Sequence, residues 1–518
     1  MNRRIILALL IAQMLTGGGR VVGGECQLPS STRLAAGDGA TDDWLGWSVA
    51  VGGDTLVTGA IGDEPAGVLS GSAYVFSRGK GGWTQTAKIS PGDGAAGDFF
   101  GYSVAISGET IVVGAPFDDD GGTDRGSAYV YVLDNGVWIE QLKLHPADGA
   151  AFDSFGISVA VDGDSALIGA RNHGGMAASA GAGYVFVRNG TSWAQQGKLT
   201  ASDAGADDQL GWSCSLSGDT AVLGAPFETE IDENAGAAYV FTRAGNVWSE
   251  QAKLTADDAA AGDLFGHSVG ISGDTIIAGA KEHDAGGENT GAAYIFVRSA
   301  GVWLQQAKLT ALDAVAGDEF GYAVGVSAEH AIVGAYLDDT PEVNGGSACV
   351  FRRLGSKWTQ TEQLTPTTPA SEMLFGASVA ISGLTCAVGA YLDSPNGQTS
   401  AGTAYAIEQG SEDTDADGWG DPCDNCVAIA NPDQADCDGD FTGDVCEIAL
   451  CANDWKCRDC DTDSVPDGCQ ALIGIPTFAT VLLGTNLNPV DRCKSDFTYD
   501  GLIDGRDVQG YTAALMGN

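Results

Sequence analysis

Residues 98–116, with the sequence DFFGYSVAISGETIVVGAP, contain a pattern that recurs through most of the chain. Most copies have Gly-x-Ser-Val-Ala or a close variant, a glycine turn, an apolar run ending in Gly-Ala, and later a Trp and Lys-Leu. The first glycine of each copy, the marker glycine, recurs every 55 residues, at Gly46, Gly101, Gly156, Gly211, Gly266, Gly321 and Gly376. Seven repeats of constant length indicate a repeat architecture in which each copy is one supersecondary unit.

Each repeat contains four segments with the character of short β-strands. In the second copy, residues 102–107 alternate as a strand requires, and Gly108-Glu109 supplies a two-residue hairpin turn. Residues 111–115, 127–132 and 138–144 are the next three predicted strands. Four short antiparallel strands repeated seven times predict an all-β fold, a seven-bladed β-propeller.

The two ends of the repeat region complement each other. The seventh copy stops at its third strand, 403–407, whereas residues 28–34 lie one period before the strand 83–89, with Arg33 matching Lys88. We therefore expect the N-terminal strand to complete the last blade. Such closure would hide sheet edges that otherwise pair with other chains.

The motifs Phe100-Gly101 and Gly114-Ala115-Pro116 resemble the FG-GAP repeat of integrin alpha-type propellers, over about 28–410. The resemblance implies a propeller that displays a ligand-binding face. Integrin-type blades also carry an Asp-rich calcium loop between the first two strands. Here Gly108-Glu109 makes only a tight turn, so we do not expect calcium at that place in the propeller.

The ends of the chain and its charge indicate where the protein works. Arg3 and Arg4 precede an apolar run too short to span a bilayer, which predicts a signal peptide over 1–24 and a secreted or cell-surface protein. We expect no transmembrane segment elsewhere. The formal net charge of −44 disfavours nucleic acid and anionic membranes as partners, because both would be repelled.

The cysteines fall into two groups. Nine of the 13 lie after residue 420, and in an exported chain this density predicts a disulfide framework. Cys214, Cys349 and Cys386 lie in the repeats, where other copies have Val, Tyr and Leu. We interpret these three as buried core thiols.

Paired aspartates precede six of the seven marker glycines. Their recurrence favours a structural role, in which the carboxylates accept backbone N–H bonds, and cation binding is the alternative. The seventh repeat has Thr368 and Met373 instead. The pairs are Asp38 and Asp43, Asp93 and Asp98, Asp148 and Asp153, Asp203 and Asp208, Asp258 and Asp263, and Asp313 and Asp318.

A second polar set follows each Gly-Ala by three residues. The identity of its members varies, as on a binding surface, although a solvated charged rim is the alternative interpretation. Loops joining second to third strands share a face with loops joining consecutive blades, so both sets should lie at one end of the ring. The predicted ligand-binding face is Asp63, Asp118, His173, Glu228, His283, Asp338 and Asp393.

Acidic loops after residue 410 have the ligand spacing of calcium sites, with oxygen ligands at loop positions 1, 3, 5, 9 and 12 and a backbone carbonyl at position 7. The third loop ends in Gln470. The predicted Ca²⁺ ligands are Asp413, Asp415, Asp417, Trp419, Asp421 and Asp424; Asp436, Asp438, Asp440, Thr442, Asp444 and Glu447; Asp459, Asp461, Asp463 and Asp467; and Asp496, Thr498, Asp500, Leu502, Asp504 and Asp507.

The first three loops and their cysteines, over 411–470, resemble thrombospondin type 3 repeats, which implies a stalk held by calcium and disulfides. The fourth loop and the amphipathic segment after it are similar to half of a dockerin. That resemblance, over 471–518, implies docking to a cohesin-like partner. The predicted organisation is therefore a signal peptide, a propeller over 27–410, and these two calcium-binding modules.

Three classes of function are compatible with this organisation. We favour an exported, non-enzymatic adhesion or recognition protein that binds an extracellular protein or polysaccharide, because the sequence has no His-Glu-x-x-His motif and its repeated carboxylate pairs do not single out one catalytic pair. The second is a tethered carbohydrate-active enzyme, a lyase or hydrolase, dependent on one residue among His173, Glu228 and His283. The third is a structural surface-layer component.

Overall fold

The computed structural model describes residues 30–339 and 341–409. The predicted signal peptide, calcium loops, tail disulfides and dockerin-like module lie outside the described residues. The described part contains one short 3-10 helix, Pro395–Gly397, and no helix in it has the length and apolar character needed to cross a membrane. The described strands are β1 Ser30–Leu34, β2 Leu45–Gly52, β3 Thr55–Ala60, β4 Ser72–Gly79, β5 Gly82–Ile89, β6 Ser103–Ser107, β7 Thr110–Ala115, β8 Ser127–Asp134, β9 Val137–Leu144, β10 Phe155–Asp162, β11 Ser165–Ala170, β12 Ala182–Asn189, β13 Ser192–Leu199, β14 Ser213–Ser217, β15 Thr220–Ala225, β16 Ala237–Ala244, β17 Val247–Leu254, β18 Ser268–Ser272, β19 Thr275–Ala280, β20 Ala292–Ser299, β21 Val302–Leu309, β22 Ala323–Ser327, β23 His330–Ala335, β24 Ser347–Leu354, β25 Lys357–Leu364, β26 Ser378–Ser382, β27 Thr385–Ala390 and β28 Thr403–Glu408.

The strands form seven four-stranded antiparallel sheets, the blades of a β-propeller. Blades 1 to 6 each contain four consecutive strands, beginning with β2, β6, β10, β14, β18 and β22. Blade 7 has the order β1-β28-β27-β26, so the first described strand is the outer strand of the last sheet. The predicted fold and the predicted N-terminal closure are both confirmed.

The two glycine motifs are explained by the close approach of neighbouring blades. A Cβ atom added to Gly114, the glycine of Gly-Ala in blade 2, would lie 2.0 Å from the carbonyl oxygen of Gly156 in blade 3. At the six other copies the same distance to the next marker glycine is between 1.9 and 2.1 Å. Any side chain at this position would therefore push two blades apart.

The serine of Gly-x-Ser also joins blades. Ser103 Oγ donates a hydrogen bond to the carbonyl of Gly156 across 2.8 Å, and Ser378 in blade 7 does the same to Gly46 in blade 1. Blade 6 has Ala323 at this position. The serines that make the bond are Ser48, Ser103, Ser158, Ser213, Ser268 and Ser378.

The hydrophobic core lies between blades. One buried cluster contains Val112 and Val130 from blade 2 together with Phe155, Tyr184 and Trp193 from blade 3. The phenylalanine of Phe-Gly packs edge-on against this tyrosine, with ring centroids 5.7 Å apart. Each interface therefore needs the repeats on both of its sides, as in other repeat proteins.

The loops between second and third strands meet the segments that lead into the next blade. The N–H of Phe99, just before β6, donates to the carbonyl of Leu69, and Phe100 donates to Ser70, across 3.1 and 3.0 Å. We call the end of the ring that carries these segments the loop face. The first strands of the seven blades line the central channel of the ring.

The cysteines of the described residues are free thiols. Cys349 and Cys386 are buried, as expected, and burial raises the pKa of the Cys349 thiol to about 12. Cys214 is only partly covered and lines the central channel, because it lies on the first strand of blade 4. The prediction that Cys214 is a buried core thiol was wrong.

Candidate functional site

The two predicted polar sets come together within each blade. In blade 1, Lys88 Nζ lies 2.7 Å from Oδ2 of Asp38 and 2.7 Å from Oδ2 of Asp63. The hydroxyl of Tyr74 donates to Asp38 Oδ1 across 3.0 Å, and the lysine lies 5.2 Å from the tyrosine ring centroid. Lysine and tyrosine from the outer strands thus form an ion pair and a hydrogen bond with the acidic residues of the loops.

This arrangement, which we call the blade-end cluster, recurs around the ring. In blade 6, Gln363 replaces the lysine and donates to Asp313 and Asp338, and in blade 7 Arg33 binds Asp393. All seven residues of the predicted ligand-binding face are buried, with exposed fractions of 4% to 9%. They are Asp63, Asp118, His173, Glu228, His283, Asp338 and Asp393.

The second aspartate of each pair shapes the loop before its blade. Asp98 Oδ2 accepts the backbone N–H of Ala95 across 2.7 Å, and five other copies make the equivalent bond. In blade 7, Met373 Sδ lies 3.0 Å from the N–H of Ala370. These contacts agree with the structural interpretation of the aspartate pairs.

Blades 3 and 5 have histidine in the blade-end cluster. His173 Nε2 lies 2.7 Å from Lys198 Nζ, and its Nδ1 lies 2.8 Å from Asp153 Oδ2. Because a lysine ammonium only donates, Nε2 is the acceptor and Nδ1 carries the proton. His173, Glu228 and His283, the residues of the enzyme hypothesis, each contact partners in their own blade.

One blade-end cluster has three carboxylates close enough to share a cation. Ligand atoms of Asp203, Glu228 and Glu230 all lie within 4.8 Å of one another. Lys253 Nζ already lies among them, 2.7 Å from Asp203 and 3.1 Å from Glu228. In this geometry the ammonium supplies the positive charge that a metal ion would otherwise bring.

A different group of side chains lines the mouth of the central channel. It consists of the residue x of Gly-x-Ser from all seven blades, together with Arg171 and Tyr391, around a cavity of about 140 Å³. We call this cavity the axial recess. Its x residues are Trp47, Tyr102, Ile157, Trp212, His267, Tyr322 and Ala377.

Most of the wall of the axial recess is aromatic. Ring centroids of Trp47 and Tyr102 are 5.5 Å apart, and Tyr391 reaches Trp47 at 5.0 Å past the small Ala377. On the other side, His267 lies 5.6 Å from Trp212 and 5.0 Å from Tyr322. The x side chains of neighbouring blades therefore form two arcs of rings, which face each other across the channel axis.

Arg171 lies in the gap that Ile157 leaves between these arcs. Its Cζ is 4.6 Å from the ring centroid of Trp212, a cation–π distance. Its Nε is buried without a hydrogen-bond partner, and within the described part of the chain the guanidinium makes no salt bridge. Burial lowers the pKa of Arg171, but a guanidinium stays charged at neutral pH.

The other titratable side chains of the axial recess are neutral. Burial, assisted by the charge of Lys281, lowers the pKa of His267 to about 3. Burial also raises the pKa of Tyr102, Tyr322 and Tyr391. Arg171 is therefore the charged residue of the lining.

A comparison with known protein families decides the identity of the ring. The FG-GAP repeat matches seven segments that span more than half of the chain, at 30–76, 83–131, 138–186, 193–241, 248–296, 303–351 and 358–407. The chain belongs to the FG-GAP repeat family. A search of curated proteins gave no match.

In this FG-GAP propeller the two residues between β6 and β7 form a tight turn, as the sequence predicts. The repeat pattern did not predict the axial recess. Position x varies between Trp, Tyr, Ile, His and Ala, while the glycine before it is constant. Variation at one position of an otherwise regular FG-GAP repeat was the available signal.

Proposed function

We propose that this chain is an exported, non-enzymatic recognition protein whose FG-GAP propeller binds an extracellular protein or glycan on its loop face. The observation that carries the proposal is the axial recess, a concave site with partly exposed tryptophan and tyrosine rings and one cation without a salt bridge among the described residues. Ligand sites in proteins are typically concave, largely apolar and equipped with a few polar groups.

Aromatic residues make this recess suited to binding. Trp47 and Trp212 present large, stiff surfaces, so a ligand that covers them gains contact area at small cost in side-chain entropy. The residues of the predicted ligand-binding face are, by contrast, buried in the blade-end clusters. This use of the carboxylates favours recognition over acid–base catalysis.

The proposed role of the tail follows from its sequence. We propose that 411–470 is a calcium-stabilised stalk and that 471–518 attaches the protein to another component, with a cohesin-like protein as the candidate partner. In this arrangement the propeller would be carried away from its point of attachment. Ca²⁺ is the proposed cofactor of these two modules.

The proposal is tested by retention of the full chain on immobilised polysaccharides and cell-surface extracts, with calcium present. Trp47→Ala combined with Tyr322→Ala removes one ring from each arc of the axial recess. Trp138→Ala is the matched control, because Trp138 is a partly covered tryptophan on the outer strand β9. Released product is measured in the same experiment.

Retention of the wild type and the control, with loss in the double variant and no product, is the expected result. Equal retention of all three proteins would place binding outside the axial recess. Product release would contradict a non-enzymatic role, and loss of product in a His173, Glu228 or His283 variant would support the enzyme hypothesis.

A further inference from the structure

We infer that the axial recess binds an acidic saccharide, with the carboxylate of a pyranose unit on Arg171 and the sugar ring against the aromatic wall. The inference rests on the proposed function and specifies its ligand. Arg171 Cζ lies 4.6 Å from the Trp212 ring centroid, so a group bound to the guanidinium also lies next to an indole.

Arg171 differs from the basic residues of the blade-end clusters. In a chain with a formal net charge of −44, the lysines of blades 1 to 5 and Arg33 of blade 7 are held by carboxylates or histidine in the blade-end clusters. Arg171 has no such partner among the described residues, and its Nε is both buried and unbonded. The terminal Nη groups of Arg171 also have no hydrogen-bond partner among the described residues, so a ligand carboxylate that pairs with them would be favourable.

Other charges near the recess do not cancel this preference. Lys281 occupies the position of Arg171 in blade 5, but its ammonium lies 2.7 Å from Glu282 and 2.9 Å from Glu319. His267 donates through Nδ1 to the carbonyl of Tyr322 across 3.1 Å and carries no charge at neutral pH. The guanidinium fork therefore selects for a planar anion such as a carboxylate.

The size and wall of the recess favour a sugar ring as the carrier of that anion. The volume of about 140 Å³ is close to the roughly 150 Å³ of a cavity that holds one benzene ring, so the recess can take the ring of one sugar unit. The faces of Trp47 and Trp212 carry negative partial charge, which attracts the C–H groups of a sugar face. A glutamate side chain of a peptide would reach the guanidinium but would leave the aromatic wall uncovered.

The test measures the affinity of the full chain for two matched pairs, oligogalacturonate with its methyl ester and oligoglucuronate with its methyl ester. A glutamate-rich peptide is the third probe. All titrations contain a calcium chelator, so that calcium cannot bridge a carboxylate to the acidic surface. The proteins are the wild type, Arg171→Gln, Arg171→Lys and Lys80→Gln, which removes the same charge from an exposed hairpin.

We expect the wild type to bind at least one acidic oligosaccharide about tenfold or more tightly than its ester, since hydrogen bonds to charged groups are worth this much. Arg171→Gln should abolish the preference, Arg171→Lys should retain part of it, and Lys80→Gln should leave it unchanged. Thermal unfolding of each variant shows whether it is folded.

Equal affinity for acid and ester, an unchanged preference in Arg171→Gln, or binding of the peptide alone would overturn the inference. In each of these cases a ligand is still bound, so the proposed recognition function survives. Failure of every probe together with no retention on any polysaccharide or cell-surface extract would instead contradict the proposed function itself.

Discussion

Arg33, on the first described strand, donates from Nε to Oδ2 of Asp393 in the last blade across 2.9 Å. The pair occupies the same place in blade 7 as Lys88 and Asp63 do in blade 1. Asp393 is buried and also accepts a hydrogen bond from Thr403 Oγ1. One side-chain contact therefore joins residues 360 positions apart and completes the ring.

Substitution of Arg33 should open this closure. Arg33→Ala leaves the buried Asp393 carboxylate without its cation, at an expected cost of about 1–3 kcal/mol in the free energy of unfolding. Arg33→Lys, which restores the residue type of blades 1 to 5, should recover most of the loss. Urea unfolding measures the free energies, and equal stability of Arg33→Ala and wild type would show that the contact does not hold the ring.

The serine hydrogen bonds between blades can be tested by removing one serine and by adding one where it is missing. Ser103→Ala removes the hydrogen bond to the Gly156 carbonyl and should cost about 1 kcal/mol. Ala323→Ser introduces the missing hydroxyl into blade 6 and should stabilise the protein by a similar amount. Chemical denaturation of both variants checks the pair, and a loss of stability on introducing the serine would contradict the assigned role.

The glycine of Gly-Ala should tolerate no side chain. In Gly114→Ala the added Cβ would meet a backbone carbonyl of the next blade at 2.0 Å, so the blades must separate, at an expected cost of about 3 kcal/mol. Gly79→Ala is the control, because a Cβ there meets nothing within 4 Å. Similar melting temperatures for the two variants would disprove this account of blade contact.

Asp98 makes stability depend on pH in an unusual direction. Burial, with a smaller contribution from Asp118, raises the pKa of its carboxyl from 3.8 to about 6, against the hydrogen bond from Ala95. Ionisation of Asp98 is therefore less favourable in the folded than in the unfolded protein. As pH rises from about 4 to 6 this carboxyl lowers the stability of the fold, and above pH 6 the loss of stability remains. Asp98→Asn should stabilise the protein at neutral pH, and the gain should vanish near pH 4.

The control for this pH experiment has the opposite sign. Burial opposes ionisation of Asp118, but hydrogen bonds from Lys143 and Tyr129 outweigh it and lower the pKa of the carboxyl. Its contribution is present above its ordinary pKa and is lost as pH falls, so Asp118→Asn should destabilise most at neutral pH. Urea unfolding at several pH values checks both variants, and parallel profiles would contradict the assignment.

Periodicity was sufficient to predict the blades, their number and the closing strand, because each depends on spacing alone. Arg33 could be matched to Lys88 by counting one period. The axial recess depends instead on which side chains meet across the channel, and spacing does not give its diameter. Tyr391 and Arg171 fill gaps that Ala377 and Ile157 leave, which only the three-dimensional ring shows.

For the predicted ligand-binding face, the sequence predicted the position of the residues but not their burial. Asp63 and Asp118 were correctly placed at one end of the ring with the paired aspartates. Their burial could not be predicted from that register, because the covering Tyr74 and Lys88 come from the outer strands of the blade. Tyr and Lys-Leu recur in most repeats, but their spacing does not show that these side chains reach over the loop face.

Hydroxyl-radical footprinting of the full chain, with and without the glycan or protein that it retains, tests the central claim most directly. We predict that the ligand protects Trp47, Tyr102 and Trp212 in the axial recess. Trp138 and Trp248, partly covered tryptophans on outer strands, are the internal references and should react equally in both samples. Protection of these outer tryptophans with an unchanged recess would show that the ligand binds elsewhere on the protein.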